Sequence, residues 1–196
     1  MEELPPYSAV VLAGGRASRL GGRPKPQLEV GGRSLLAAVL GAVADARRRV
    51  VVGPVQDAPA HVVFTREEPA GGGPVAALRA GLTAVDTDVV AVLAGDLPFL
   101  TGDLVRTLRR RLVDDGVLVV DDTGRDQLLL GVWRTTALRT AVGDPGGPAA
   151  LHRALSGLAV DRHRPEVAPG APPPWLDCDT PEELARARAV AGRRTG

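Results

Sequence analysis

The sequence predicts an α/β fold: a single domain on a doubly wound, mainly parallel sheet. Three observations carry this. Short, wholly apolar runs such as residues 9–12 and 89–94 alternate with segments of helical period, the order that lays helices on both faces of a parallel sheet. The runs show no polar alternation, as strands buried on both faces require. The 24 glycines and 17 prolines fall between the apolar runs and not in one tract, so they mark loops rather than disorder.

In chain order, residues 9–12 are the first strand and residues 28–30 a short strand leading to Gly31 and Gly32. Ser34 caps a helix to about residue 46, with apolar side chains at 35, 36, 39, 40 and 43 on one face. Residues 49–52 and 61–65 are the second and third strands, and 71–73 a loop. Pro74 suits the first position of a helix over 75–82. Residues 89–94 are the fourth strand, and Thr101 caps a helix to about residue 113, with Asp103 favourable in its first turn. Strands follow at 117–121, 128–133 and 159–163, with short helices at 135–142 and 148–155 and a proline-rich loop at 164–174. Thr180-Pro-Glu-Glu183 opens a last helix, to about residue 191. One domain is expected over residues 1–196, with flexible tails at 1–7 and 192–196.

Composition narrows the function classes. A formal net charge of +1 gives no field for nucleic acid or an anionic membrane, and 3% aromatics make a poor base-stacking platform. The single cysteine, Cys178, allows no internal disulfide and no cysteine-based zinc site. No apolar segment reaches spanning length and the acidic start is unlike a signal peptide. A cytoplasmic protein is expected.

Function concentrates at the end of the first strand. Gly14 and Gly15 leave backbone N–H groups uncovered, and Arg16, Arg19, Arg23 and Lys25 follow. Uncovered donors, close approach and positive charge suit a polyphosphate. The alternative is a glycine-rich surface loop with solvated arginines. The spacing is neither a P-loop nor the dinucleotide fingerprint, because the two glycines are adjacent and Pro24 and Pro26 block an immediate helix. In a doubly wound sheet the loops after strands one, three and four share a rim. That rim holds residues 14–25, 66–73 and 95–99. Asp96 ends the most apolar strand, where a carboxylate is costly unless paired or bound to a cation. It is either a turn cap or a ligand for magnesium. Asp177 and Asp179 are candidates for a second carboxylate, or charges at a helix N-terminus.

Leu12-Ala-Gly-Gly-Arg-Ala-Ser-Arg-Leu-Gly21, with Lys25, Gly31 and Gly32, resembles the signature loop of the sugar-nucleotide type of nucleotidyltransferase. Gly72-Gly-Pro74, Gly95-Asp-Leu-Pro-Phe99 and Asp177-Cys-Asp-Thr-Pro-Glu-Glu183 follow in the same order. Together they resemble the molybdenum cofactor guanylyltransferases of the MobA-like NTP transferase superfamily. The resemblance implies a nucleotide-diphospho-sugar transferase fold and GMP transfer from GTP to the phosphate of molybdopterin. It implies Lys25, Asp96 and Arg19 as catalytic, and Mg2+ on Asp96 and Asp179. Leu12, Ala13, Gly14, Gly15, Arg16, Arg19, Lys25, Glu68, Gly73 and Asp96 would bind nucleotide, with Glu67 an alternative to Glu68 for guanine. Gln127 would lie on the acceptor side. The partners implied are the two small-molecule substrates and transient contact with molybdenum cofactor enzymes or chaperones. Two departures stand out: Leu128 replaces the proline of a Gln-Pro-Leu stretch, and Pro24 replaces an aspartate before the lysine. A cytidylyltransferase, a sugar-1-phosphate enzyme and a non-catalytic nucleotide-binding protein are the other readings. Retention of both Lys25 and Asp96 argues against the last. Trp133 and Cys178 are expected to be core side chains.

Overall fold

Every residue of Tyr7–Leu12 but the last is buried, which is why this apolar run becomes the central strand β1. The computed structural model describes residues 4–14, 19–20, 23–144, 146–147 and 150–193, with backbone only at 19, 20, 23 and 24. Two small hairpins follow β1: β2 (Arg19–Leu20) with β3 (Arg23–Pro24), and β4 (Glu29–Val30) with β5 (Arg33–Ser34). Between them Lys25–Gln27 makes a single 3₁₀ turn. Helix α1 (Leu35–Ala42) starts where Ser34 accepts from Ala37 N–H at 3.1 Å.

The chain continues through β6 (Arg48–Val52), β7 (Val62–Thr65), α2 (Gly73–Leu82), β8 (Val89–Ala94) and α3 (Gly102–Arg111). It then forms β9 (Gly116–Val120), β10 (Asp126–Arg134), α4 (Thr135–Val142), α5 (Leu151–Ala154), β11 (Val160–His163) and α6 (Pro181–Gly192).

The seven-stranded sheet has the order β11-β9-β10-β8-β1-β6-β7. All neighbours are parallel except β10, which runs antiparallel to both β8 and β9. Alternation along β1 splits the core in two. Ala9 and Val11 face α1 and α3 with Leu36, Leu40 and Leu108. Val10 faces α2 and α4 with Leu78, Leu82 and Leu138. A third cluster joins Leu28, Val30 and Leu35 to Cys178, Leu184 and Ala187, seating α6 on the β4–β5 hairpin.

Three expectations are corrected. Tyr7, placed in a leading tail, is 1% exposed and begins β1. The first helix stops at Ala42, not near residue 46. Of the helix expected over 148–155, four residues, Leu151–Ala154, are helical, and 148–149 lie outside the described residues.

Candidate functional site

The site is built where β1, β6 and β8 end together. Ala13 N–H donates to Val52 O, and Gly95 N–H to Leu12 O, each at 2.9 Å. Glycine at 95 allows this approach: a Cβ there would stand 3.1 Å from Ala13 Cβ and from Leu12 O, close enough that the neighbours would have to shift. That close approach carries Asp96 up against the loop that follows β1.

Lys25 opens the 3₁₀ turn and is itself buried, at 8% exposure. Its Nζ donates to Asp96 Oδ2 and Asp179 Oδ1. The Asp96 side chain is 19% exposed and that of Asp179 60%. Asp179 comes from the far end of the chain and is placed from both sides. Cys178 is fully buried in the third cluster. Thr180 caps α6 in a reciprocal capping box with Glu183.

Two cavities meet at this ion cluster. The first, about 550 Å³, is walled by Leu12, Ala13 and Gly14 on one side and Glu67, Gly71 and Gly73 on another. The second, about 1100 Å³, contains Gln127, Asp121, Trp175, Asp177 and Arg186. Pro74, Ala94, Asp96, Leu129 and Asp179 border both. A ligand in either cavity therefore reaches the carboxylate pair.

The candidates from the sequence are thus largely gathered. Leu12, Ala13, Gly14, Lys25, Gly73, Asp96 and Asp179 line the first cavity, and Gln127 the second. Of the two glutamates left open, Glu67 lines the cavity, its Oε1 accepting from Gly71 N–H at 3.0 Å, while Glu68 is exposed. The physical reason is local, since the backbone turning back at Gly71 claims the first of the two carboxylates. Gly15 and Arg16 lie outside the described residues. So does the Arg19 side chain, although its backbone forms β2. The sequence reading missed Leu129 and Trp175, apolar residues that no spacing separates from core, and Asp121. The run Asp121-Asp-Thr-Gly124 is a turn signature that could have marked Asp121.

The electrostatics follow from burial and pairing. Burial pulls the Lys25 pKa down, but hydrogen bonds to Asp179 and Asp96 outweigh it and hold the ammonium above the ordinary lysine value. Asp177 is raised, first by burial and then by the nearby charges of Asp179 and Asp96. Burial chiefly pushes the Cys178 thiol up to about 12, so it is an inert packing group and not a nucleophile.

Among the described residues no three His, Cys, Asp or Glu side chains converge on one point. The two carboxylates on Lys25 are hard oxygen donors, the kind that hold magnesium when phosphate oxygens and water complete its shell. The donor set fits such an ion shared with a nucleotide, and does not fit a zinc centre.

The MobA-like NTP transferase domain family matches residues 9–161. The chain belongs to this family. The molybdenum cofactor guanylyltransferase of Rhodopseudomonas palustris (strain BisB5) is 30% identical over 98% of each chain. A probable molybdenum cofactor guanylyltransferase of Mycobacterium bovis is 35% identical over 66% of this chain and 69% of its own. Among solved structures, molybdopterin-guanine dinucleotide biosynthesis protein A from Archaeoglobus fulgidus superposes with a TM-score of 0.69 at 19% identity, covering 95% and 99% of the two chains. The 2-C-methyl-D-erythritol 4-phosphate cytidylyltransferase of Thermus thermophilus gives 0.64 at 22% identity, covering 94% and 98%. At such identities these structures show the nucleotidyltransferase fold alone. In a MobA-like NTP transferase the residues around Lys25 lie where the fold brings its ligands, outside the carboxyl ends of the strands.

Proposed function

We propose that this chain transfers GMP from GTP to the terminal phosphate of molybdopterin, releasing pyrophosphate, with the assistance of magnesium. The observation that carries the reading is the meeting of two cavities at Lys25, Asp96 and Asp179. One cavity takes the nucleotide against the Leu12–Gly14 backbone and the other takes the phosphorylated acceptor. The names of the full-length relatives supply the base and the acceptor.

The chemistry needs little from the protein beyond position and charge. An acceptor phosphate oxygen, already ionised at neutral pH, attacks the α-phosphorus. A new P–O bond forms, the α–β bridging bond breaks, and pyrophosphate carries away the electron pair. No general base is needed. The Lys25 ammonium compensates charge on the phosphates, and Arg19 assists. Glu67 and the carbonyls of Leu12 and Ala13 accept the N–H groups of guanine. Asp96 and Asp179 would hold magnesium, which would supply further compensation for phosphate charge.

Incubating the protein with magnesium, molybdopterin and each labelled nucleoside triphosphate in turn tests the proposal. Pyrophosphate and a guanylylated product from GTP are expected. Turnover with CTP in preference to GTP would move the assignment to the cytidylyl reaction.

A further inference from the structure

Beyond β9 the chain folds back over one carboxylate. Asp121 Oδ1 accepts from Thr123 N–H at 2.9 Å, Thr123 Oγ1 at 2.7 Å and Arg125 N–H at 2.9 Å. Its Oδ2 accepts from Gln127 Nε2 at 2.8 Å. Asp121 is 8% exposed. These hydrogen bonds, the one from the Thr123 hydroxyl foremost, hold the carboxyl below its usual range and therefore ionised.

This fixes the orientation of an amide. An ionised carboxylate only accepts, so the Gln127 atom facing it is the NH₂ group. The carbonyl oxygen, Oε1, then points away from Asp121, and among the described residues no group donates to it. Just past Gln127, strand β10 departs from β9. Gln127 opposes Val119, yet Gly131 opposes Leu118, the next residue along. Such bulges re-aim side chains. Leu128, Leu129 and Leu130 line the second cavity beside Gln127 and Asp121. An apolar wall thus carries one oriented, unoccupied hydrogen-bond acceptor.

We propose that Asp121 is a positioning residue: it holds the Gln127 carboxamide so that Oε1 accepts an N–H or O–H donor of the phosphorylated acceptor. This rests on the reading that the second cavity takes the acceptor. A flat heterocycle with an N–H or amino group on its edge matches a single oriented acceptor beside leucines. A phosphorylated ligand presenting only acceptors at that edge is rejected, because Gln127 Oε1 would face another lone pair.

The test separates the substrate role from the hydrogen bond itself. Gln127→Leu should raise the KM for molybdopterin about tenfold or more and leave the KM for GTP within about twofold. Asp121→Asn should do the same, because its amide donates to Gln127 and forces the carboxamide to present NH₂ instead. In the Gln127→Leu background, Asp121→Asn should add no more than about twofold. Should Asp121→Asn unfold the loop, Gln127→Leu still decides the substrate role. In ligand-free protein, side-chain NMR should show the Gln127 NH₂ protons shifted and protected from exchange. An unchanged molybdopterin KM in Gln127→Leu, a full extra loss in the double variant, or freely exchanging Gln127 protons overturns the proposal. A wild-type chain that releases no pyrophosphate with molybdopterin overturns the broader reading and with it the role toward substrate, while the amide signals still report the Asp121–Gln127 bond.

Discussion

The Arg109 cluster lies where β1 begins, and the Lys25 cluster where β1 ends. Each holds a cation against at least one carboxylate, Asp45 for Arg109 and both Asp96 and Asp179 for Lys25, and the accessibilities are alike. The Arg109 side chain is 9% exposed against a 58% exposed Asp45. The Lys25 side chain is 10% exposed against a 60% exposed Asp179. Their neighbours differ. Arg109 stacks on the buried Tyr7 ring at 4.0 Å and donates to Asp45 at 3.2 Å and to Pro5 O at 2.8 Å. The Tyr7 hydroxyl closes the ring by donating to Asp45 at 2.5 Å. A planar guanidinium with its fork occupied is a fastener. Lys25 is a compact charge whose two partners both border open cavities. On the proposed reading, phosphate oxygens would take their place. What distinguishes a binding centre here is whether the partners of the cation can be exchanged, not how deeply it is buried.

The largest expected effect breaks the Lys25 cluster at Asp96. Asp96→Asn keeps the size and removes the charge, so pyrophosphate release should fall by about a hundredfold or more. Lys25 keeps Asp179 as a charged partner, so the melting temperature should fall far less than turnover does. A variant turning over normally with the same magnesium requirement would end the ligand role of Asp96.

Next comes Lys25→Ala. Losing charged hydrogen bonds of about 1.5–3 kcal/mol should slow turnover roughly ten- to hundredfold. Removing the ammonium also leaves Asp96 and Asp179 as an uncompensated pair. Calorimetric titration of the ligand-free variant should therefore show tighter binding of divalent cations than in the parent. Equal cation affinity in both would show that the two carboxylates do not act together.

At the other end of β1 the loss should fall on stability and spare turnover. Arg109→Met should cost about 2 kcal/mol through the lost stacking and hydrogen bonds. The melting temperature should drop by roughly 5 °C, with activity per folded molecule retained. A fall in activity without a fall in melting temperature would erase the distinction between the clusters.

The smallest effect sharpens the contrast through pH. Burial, then the bond to Asp45, raises the Tyr7 phenol above its ordinary value. The unfolded chain gives up this proton first, so stability falls as pH rises past about 10. The Lys25 pair, with its pKa also raised, contributes fully below about pH 10 and is lost only as pH climbs through the folded value. Tyr7 is the single tyrosine of the chain, so tyrosinate absorbance should appear together with unfolding in an alkaline titration. Tyr7→Phe should cost about 1 kcal/mol and make unfolding less sensitive to alkali.

The sequence discloses these regions unequally. The Lys25 end is written in glycines, prolines and a carboxylate closing an apolar strand, all local departures from ordinary patterning. Those departures place Lys25 and Asp96 at one rim, and the motif at 177–183 adds Asp179. The Arg109 end is written in residue types found on any helix. Arg109 is one of three consecutive arginines, Arg109–Arg111, and nothing local says which one reaches back to β1. The antiparallel course of β10 is equally hidden, because a strand buried on both faces reads alike in either direction. Glu67 and Glu68 cannot be separated by sequence, since the choice depends on where Gly71 turns the backbone.

Lys25 and Asp179 stand 154 positions apart in the chain and touch. Lys25 lies inside the family match and Asp179 beyond it, since the match ends at residue 161. The last helix is therefore a clasp rather than an appendage. The last sheet strand ends at His163, so during synthesis every strand is made before Asp179. A proteolytic cut in the 164–174 loop would separate the segment bearing Asp179 while leaving the seven-stranded sheet covalently whole. The Asp179 contact is thus the later of the two Lys25 ion pairs that synthesis permits, and a chain cut before Asp179 keeps only Asp96 to face Lys25.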